Sequence, residues 1–474
     1  MSTIVDRAAG WIRPKIPSTF KGIVRPPTPA TKREIPLVSG ALPVLGHTVE
    51  FVRDTLGLLD RAYRECGEVA ELQVAHKRMV LMTGPEAAEA FYRAPDEQLS
   101  PNAAYKMMVP VFGKDVVYDA HPAKMNEQMR MLLPALRDKR MRTYGEIIAD
   151  EVRQSLESWG DSGVLDIADY TRVLTNFTSS HCLLGKEFRQ DMTGEFAQVY
   201  HDLERGITPA AYIHPHLPLP AFRKRDRARV RLVEMITCIV AERSKSGREG
   251  EDFLQTLMDA NYQSGEPLSE HEITGMLLAA MFAGHHTSSV TTAWCMLELL
   301  RNPGYLERMV AQIDEVYAGT DEISYQSLRD ITLTDWAVKE ALRLHPPLFM
   351  LLRGVLQDFE FGDHLIPAGY FVINSPLISH QLPHVYKNPE RFDPERFGPE
   401  REEDKANFTY LSFGAGRHKC LGNAFALLQV KTIFAILLRE YTFESMGDPV
   451  EPEFGGVVLG PKQPCRVRYT RRKR

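Results

Sequence analysis

The segment from Glu270 to Arg301 carries its own start and stop signals. Ser269 followed by Glu272 makes a capping box, Leu268 and Ile273 are placed to form a hydrophobic staple, and Asn302-Pro303-Gly304 ends the run. A helix of roughly 30 residues is about 45 Å long, the width of a whole domain. Its first half is apolar nearly all round, so it belongs in an interior rather than on a surface. A membrane span is the rival reading, but Gly284-His285-His286-Thr287-Ser288-Ser289 breaks the apolar run well short of the length a bilayer requires. The chain must therefore fold around this helix. Polar residues in the middle of a buried helix need a reason. For Thr287 the ordinary one is a hydroxyl bonding back to its own helix, and for His286 it is a satisfied core histidine.

Near the C-terminus, Phe413-Gly414-Ala415-Gly416-Arg417-His418-Lys419-Cys420-Leu421-Gly422 opens directly into a helical apolar pattern, Ala424 to Leu438. The glycines let the backbone fold back around one sulfur so that peptide N–H groups point at it, and the start of the next helix adds partial positive charge. A thiolate held this way stays strongly electron-donating. As a haem ligand it favours O–O cleavage more than a histidine does. A bare Gly-x-x-x-Cys-x-Gly would be an ordinary turn with a structural cysteine, but Phe413 and His418 make the pattern more specific.

Two further landmarks accompany the loop. Lys339-Glu340-Ala341-Leu342-Arg343 lies in a helical run that Pro346-Pro347 terminates, which puts Glu340 and Arg343 one turn apart on one face. On a surface such an ion pair is worth little. Phe392-Asp393-Pro394-Glu395-Arg396-Phe397 places an arginine 24 residues before Cys420. Loop, helix and landmarks together resemble the cytochrome P-450 superfamily. The resemblance runs from about Ile35 to Arg468 and implies a mainly α fold with a smaller β-rich part, a triangular prism with a long central I helix and haem b between the I and L helices. It implies Cys420 as the axial thiolate, a buried charge triad of Glu340, Arg343 and Arg396 that fixes the segment leading into the loop, Ala283 and Gly284 leaving room over the iron, and Thr287 helping to hold dioxygen and relay protons. A lone buried arginine would be uncompensated, so breaking the triad should be costly.

His286 narrows the family. Most cytochromes P-450 have an acid immediately before this threonine, whereas Gly-x-His-Thr-Ser resembles the sterol 14α-demethylases, bacterial soluble type. The block from Tyr105 through Pro110, Phe112 and Gly113 to Val116, Tyr118 and Asp119 is similar to that family's other signature, and the segment from Tyr200 to Arg225 is similar to its F helix and F–G loop. There Glu204 falls where the family keeps an acid that pairs with the I-helix histidine, a gated proton entry. Tyr105, Arg353 and His418 match donors to the haem propionates. The usual propionate lysine falls at Met129, leaving Arg130 or Lys124 to substitute. Met107, Phe112, Met281, Phe282, Ala283, Leu348, Met350 and Val458 match positions lining the substrate cavity, and Met107 departs from the family's common phenylalanine or leucine.

At 474 residues length alone suggests about three domains, yet no Gly/Ser linker or internal repeat divides the chain. The expectation is a flexible lead-in over 1–34, one catalytic domain over 35–468 and a basic tail over 469–474. The six cysteines are scattered with no Cys-x-x-Cys pair, so any electron carrier must be a separate protein, and the resemblance implies a ferredoxin-type donor and its reductase passing electrons from NAD(P)H. Net charge is −5 with no sustained basic stripe, which disfavours nucleic acid. Arg417 and Lys419 flank the cysteine where an acidic partner could dock. No apolar stretch at the start qualifies as a signal or anchor, although Ala8 to Ile12 could touch a membrane surface. The expectation is a cytoplasmic monomer acting on a sterol or sterol-like lipid with O2, in lipid metabolism. Rival readings are a hydroxylase of another steroid or terpenoid, a haem-thiolate isomerase, which the intact Thr287 argues against, and a non-catalytic haem or lipid carrier. Strands are legible at Val69–Val74 and Arg78–Met82, where apolar and polar residues alternate.

Overall fold

The computed structural model describes residues 28–29, 31–185, 189, 194–246, 252–320, 322–454 and 458–473. Most of the expected lead-in, including Ala8 to Ile12, and Arg474 of the tail lie outside the described residues.

Seven helices position the site: α1 (Asp138–Leu156), α2 (Ile167–Leu184), α3 (Gly194–Glu204), α4 (Pro220–Ser246), α5 (Glu270–Arg301), α6 (Thr332–Leu344) and α7 (Asn423–Glu440). The capping box forms as the sequence predicts. The Ser269 hydroxyl accepts from the Glu272 amide at 3.3 Å, and the Ser269 amide donates to the Glu272 carboxylate at 2.8 Å. From there α5 runs unbroken to Arg301 through the largest apolar cluster, packed along α2 and against α4, α6 and α7. Glycine allows the closest approaches. A Cβ on Gly275 would lie 2.3 Å from the Phe112 carbonyl oxygen, so no other residue lets the 105–119 segment lie on the helix there.

The β-rich part is more extensive than local alternation suggests. β1 (Val69–Val74), β2 (Lys77–Met82), β3 (Leu99–Ser100), β5 (Leu351–Val355) and β6 (Phe371–Asn374) form one sheet in the order β1-β2-β6-β5-β3, with β2 and β6 parallel and Met79 opposite Phe371. A second sheet pairs β4 (Ser162–Asp166) and β7 (Tyr441–Ser445) on either side of β8 (Arg466–Arg471). Strands of two to six residues from opposite ends of the chain give weak periodicity of their own. They are stabilised by pairing and by the apolar clusters beneath them. Among the described residues, no helix is long and apolar enough to cross a membrane.

Candidate active site

The cysteine loop has the tight geometry its glycines imply. Gly414 and Gly416 sit at φ 63° and 62°, in the left-handed region. A Cβ on Gly416 would also meet the Tyr92 carbonyl oxygen at 2.6 Å. The Cys420 amide donates to the Phe413 carbonyl at 2.8 Å, which folds the chain back on itself and leaves the thiol exposed. Yet desolvation by surrounding protein raises that thiol's pKa, against the Gly422 amide and Lys419, which lower it. An exposed group that is also desolvated faces space lined by protein rather than bulk water.

Behind the loop, Glu340, Arg343 and Arg396 are fully buried and bonded. The Glu340 carboxylate accepts from Arg343 Nε and Nη2 at 2.7 and 2.9 Å and from Arg396 Nε at 3.0 Å. It also accepts from the Asp393 amide at 2.9 Å. Glu403, which no sequence signal marked, balances the second arginine at 2.6 Å from Arg396 Nη1. His380 was likewise invisible in the sequence. Its Nδ1 lies 3.0 Å from the Arg343 carbonyl, its Nε2 accepts from the Leu411 amide at 2.8 Å, and Arg343 Nη1 donates to its carbonyl at 2.8 Å. A neutral imidazole protonated at Nδ1 satisfies both ring nitrogens, so His380 ties α6 to the strand of chain entering the loop.

Burial, then the charge of Arg343, push the His380 pKa down to about 3. The folded protein therefore holds it neutral, whereas the unfolded chain binds a proton near pH 6.5. Its stabilising contribution is complete above that value and lost as pH falls towards 3. The slope is up to about 1.4 kcal/mol per pH unit. Urea unfolding between pH 7 and 5 should show this dependence, and His380→Gln should flatten it. Equal slopes in the two proteins would refute the assignment.

The opposite wall is the middle of α5. Met281 and Phe282 are buried, Ala283 is exposed, and Gly284, His286 and Thr287 are half-buried, so the interior helix has one open face. The Thr287 hydroxyl donates to the Ala283 carbonyl at 2.6 Å, the back-bond that is ordinary for threonine. With its proton committed there, Thr287 Oγ1 presents lone pairs to that face. His286 Nε2 stands 2.9 Å from Glu204 Oε1 at the end of α3. Neither atom has an aligned hydrogen bond, so the two stand in contact without a well-formed bond.

Between these walls lie the donors. Arg353 Nη1 and His418 Nε2 converge on Asp96 Oδ1 at 3.5 and 2.7 Å, and Asp96 is 2% exposed. Nothing in the local sequence singled out this acid as the partner of both side chains. The Tyr105 hydroxyl accepts from the Leu352 amide at 3.3 Å, and its ring lies 5.0 Å from that of Tyr118. Burial, then Tyr105 and the Cys420 thiolate, raise the Tyr118 phenol, which places it within electrostatic reach of the sulfur. Aromatic contacts continue from Tyr118 to Phe112 at 6.5 Å, Phe282 at 5.8 Å and His286 at 4.6 Å. Of the remaining cavity positions, Met107 packs with Ala211 and Phe222, Met350 is buried, Leu348 is 48% exposed and Val458 is half-buried. The two suggested lysine substitutes are not brought to the donors. Lys124 pairs with Glu272 at 2.7 Å and lies over the Tyr262 ring, and Arg130 is exposed. Met129 packs against the main core.

A protein-lined thiol, an open patch on a buried helix and basic and phenolic donors at one edge fit a flat iron macrocycle bearing two carboxylates. They define a haem-thiolate site. The family model for cytochrome P-450 matches residues 36–467. A protein of Mycolicibacterium vanbaalenii named sterol 14alpha-demethylase is 42% identical over 450 residues, covering 93% of this chain and 99% of that protein. Obtusifoliol 14-alpha demethylase of Sorghum bicolor is 40% identical, covering 93% and 91%. In fold, a cyanobacterial protein solved with retinoic acid bound has a TM-score of 0.84 at 24% identity, covering 93% of this chain and all of that one. The chain belongs to the cytochrome P-450 family.

Proposed function

We propose that this protein is a sterol 14α-demethylase, a single catalytic domain over residues 35–468 that removes the 14α-methyl group in three oxidations, through alcohol and aldehyde to formate. The observation that carries the reading is the His286–Glu204 contact beside Thr287, on a chain whose relatives in bacteria, plants and cattle are named as 14α-demethylases at 34–42% identity. Haem b bound through Cys420 supplies oxygen activation, using electrons that pass from NAD(P)H through a cytoplasmic ferredoxin-type partner. Arg353, His418 and Tyr105 hold its carboxylates. Asp96 orients the first two and keeps the Arg353 charge compensated before the cofactor arrives.

Protons enter from the α3 side. Glu204 and His286 exchange a proton between Oε1 and Nε2, and Thr287 Oγ1, already donating to Ala283, accepts from a proton-bearing group on the open face. Phe112, Phe282 and Met107 shape an apolar wall that excludes water and orients a rigid, flat lipid. Glu204→Ala should lower turnover on the order of 10- to 100-fold, since a positioned proton donor contributes about that or more, and should raise the solvent isotope effect. Unchanged turnover and isotope effect would remove Glu204 from the relay.

The function is tested by reconstituting the purified holoprotein with a ferredoxin, its reductase and NADPH on a panel of 14α-methyl sterols. 14-Demethylated sterol and formate are the expected products. A normal thiolate spectrum with no demethylation would transfer the assignment to a steroid or terpenoid hydroxylase, and product formed from a peroxide without reductant would transfer it to an isomerase.

A further inference from the structure

The junction of α3 with α5 holds more ligand chemistry than a proton pair uses. One ligating atom from each of Glu204, His285 and His286 lies within 4.8 Å of the other two. His285 and His286 are successive residues, yet their ring centroids are 4.5 Å apart. A tetrahedral zinc ion with bonds of about 2.1 Å sets its ligand atoms about 3.4 Å apart, between the 2.9 Å of the Glu204–His286 contact and the 4.8 Å limit of the cluster.

His285 is prepared as a ligand by its surroundings. It is 3% exposed, and its ring is held from the α2 side. The Thr175 hydroxyl donates to the Thr171 carbonyl at 2.8 Å and so accepts from His285 Nδ1 at 3.1 Å. That fixes the tautomer and leaves the Nε2 lone pair for a metal, the arrangement that outer partners of metal-bound histidines provide. A second observation points to a ligand at the same place. His286 Nε2 and Glu204 Oε1 lack aligned partners, and so does the hydroxyl of Tyr200, which is 2% exposed and interacts with Glu204.

We propose that Glu204, His285 and His286 form a binding site for a divalent zinc-class cation that bridges α3 to α5. Two imidazoles and one carboxylate are the donor set such a cation prefers, and a water completes the tetrahedron. Bound metal occupies both atoms of the proton entry, so zinc inhibits turnover. The inhibitory part rests on the relay described above; the binding does not.

The test uses the haem-loaded protein and zinc chloride. Calorimetry should find one equivalent bound, zinc-edge X-ray absorption should show a shell of nitrogen and oxygen with two imidazoles, and turnover should fall at least 10-fold as that equivalent binds. His285→Gln should keep its metal-free turnover and lose the inhibition. If that variant misfolds, Thr175→Val, which keeps the His285 side chain but removes its Nδ1 partner along with the hydroxyl's bond to the Thr171 carbonyl, should weaken zinc binding about 10-fold. Wild-type affinity in either folded variant, or sulfur in the metal shell, would overturn the site. Zinc bound with this shell but without loss of turnover would overturn the inhibition and count against the relay, leaving the demethylase assignment to its own product assay.

Discussion

Glu340→Ala should leave a protein that accumulates poorly and holds little haem. Glu340 receives two bonds from Arg343 and one from Arg396, and all three residues are fully buried. Once the carboxylate is gone the two arginines differ in what remains. Arg396 keeps Glu403 at 2.6 Å, whereas Arg343 keeps the carbonyls of His380 and Arg391 and the Tyr386 ring, none of them an anion. Arg343 therefore becomes a buried cation without a counter-charge, a loss that costs about 3–5 kcal/mol. Domains are stable by about 5–15 kcal/mol, so roughly a fifth or more of the margin disappears. The damage should concentrate on the approach to the cysteine, because the Asp393 amide also loses its acceptor and His380 is bonded through Arg343. Soluble yield, haem content per chain and the urea midpoint measure it. Glu340→Gln, which keeps an acceptor but not the charge, should fall between the two. Wild-type haem content and midpoint in Glu340→Ala would show that the network is dispensable.

Cys420→His separates the identity of the iron ligand from the stability of the loop. The Cys420 backbone bond to Phe413 does not involve the side chain, so the turn should survive replacement. The exposed thiol has space in front of it, and an imidazole is itself a haem ligand. The variant should therefore fold and bind haem, lose the thiolate-type spectrum of the reduced carbon monoxide complex, and show no detectable sterol turnover. The reason is electronic: the thiolate pushes density to the iron in a way that neutral imidazole does not. A thiolate-type spectrum persisting in Cys420→His would mean that another of the six cysteines holds the iron.

The helix and the loop were legible because each is specified by neighbouring residues. Capping box, apolar circumference and stop signal all lie within or beside α5, and the loop's glycines carry their backbone requirement with them. Glu340 and Arg343 could be paired from their spacing, since residues three apart on a helix share a face. The resemblance to a known family added Arg396, Glu204 and the propionate donors, none of which local periodicity links to the site.

Asp96, His380 and Glu403 could not be read in this way. Each gains its importance from a partner distant in sequence or brought near by an irregular segment: Asp96 from Arg353 and His418, His380 from Arg343 and Leu411, Glu403 from Arg396. The same holds for the sheet that joins β2 to β6, whose register depends on side chains packed beneath it. The sequence by itself determined a buried axial helix, a cysteine turned out from a glycine loop and the reaction class these imply. Tertiary structure alone decided which acids compensate the buried cations and that His285 joins Glu204 and His286 in one cluster. Capping and turn formation are satisfied by adjacent residues, whereas a buried charge or an unpaired lone pair is satisfied by whichever group the folded chain brings to it.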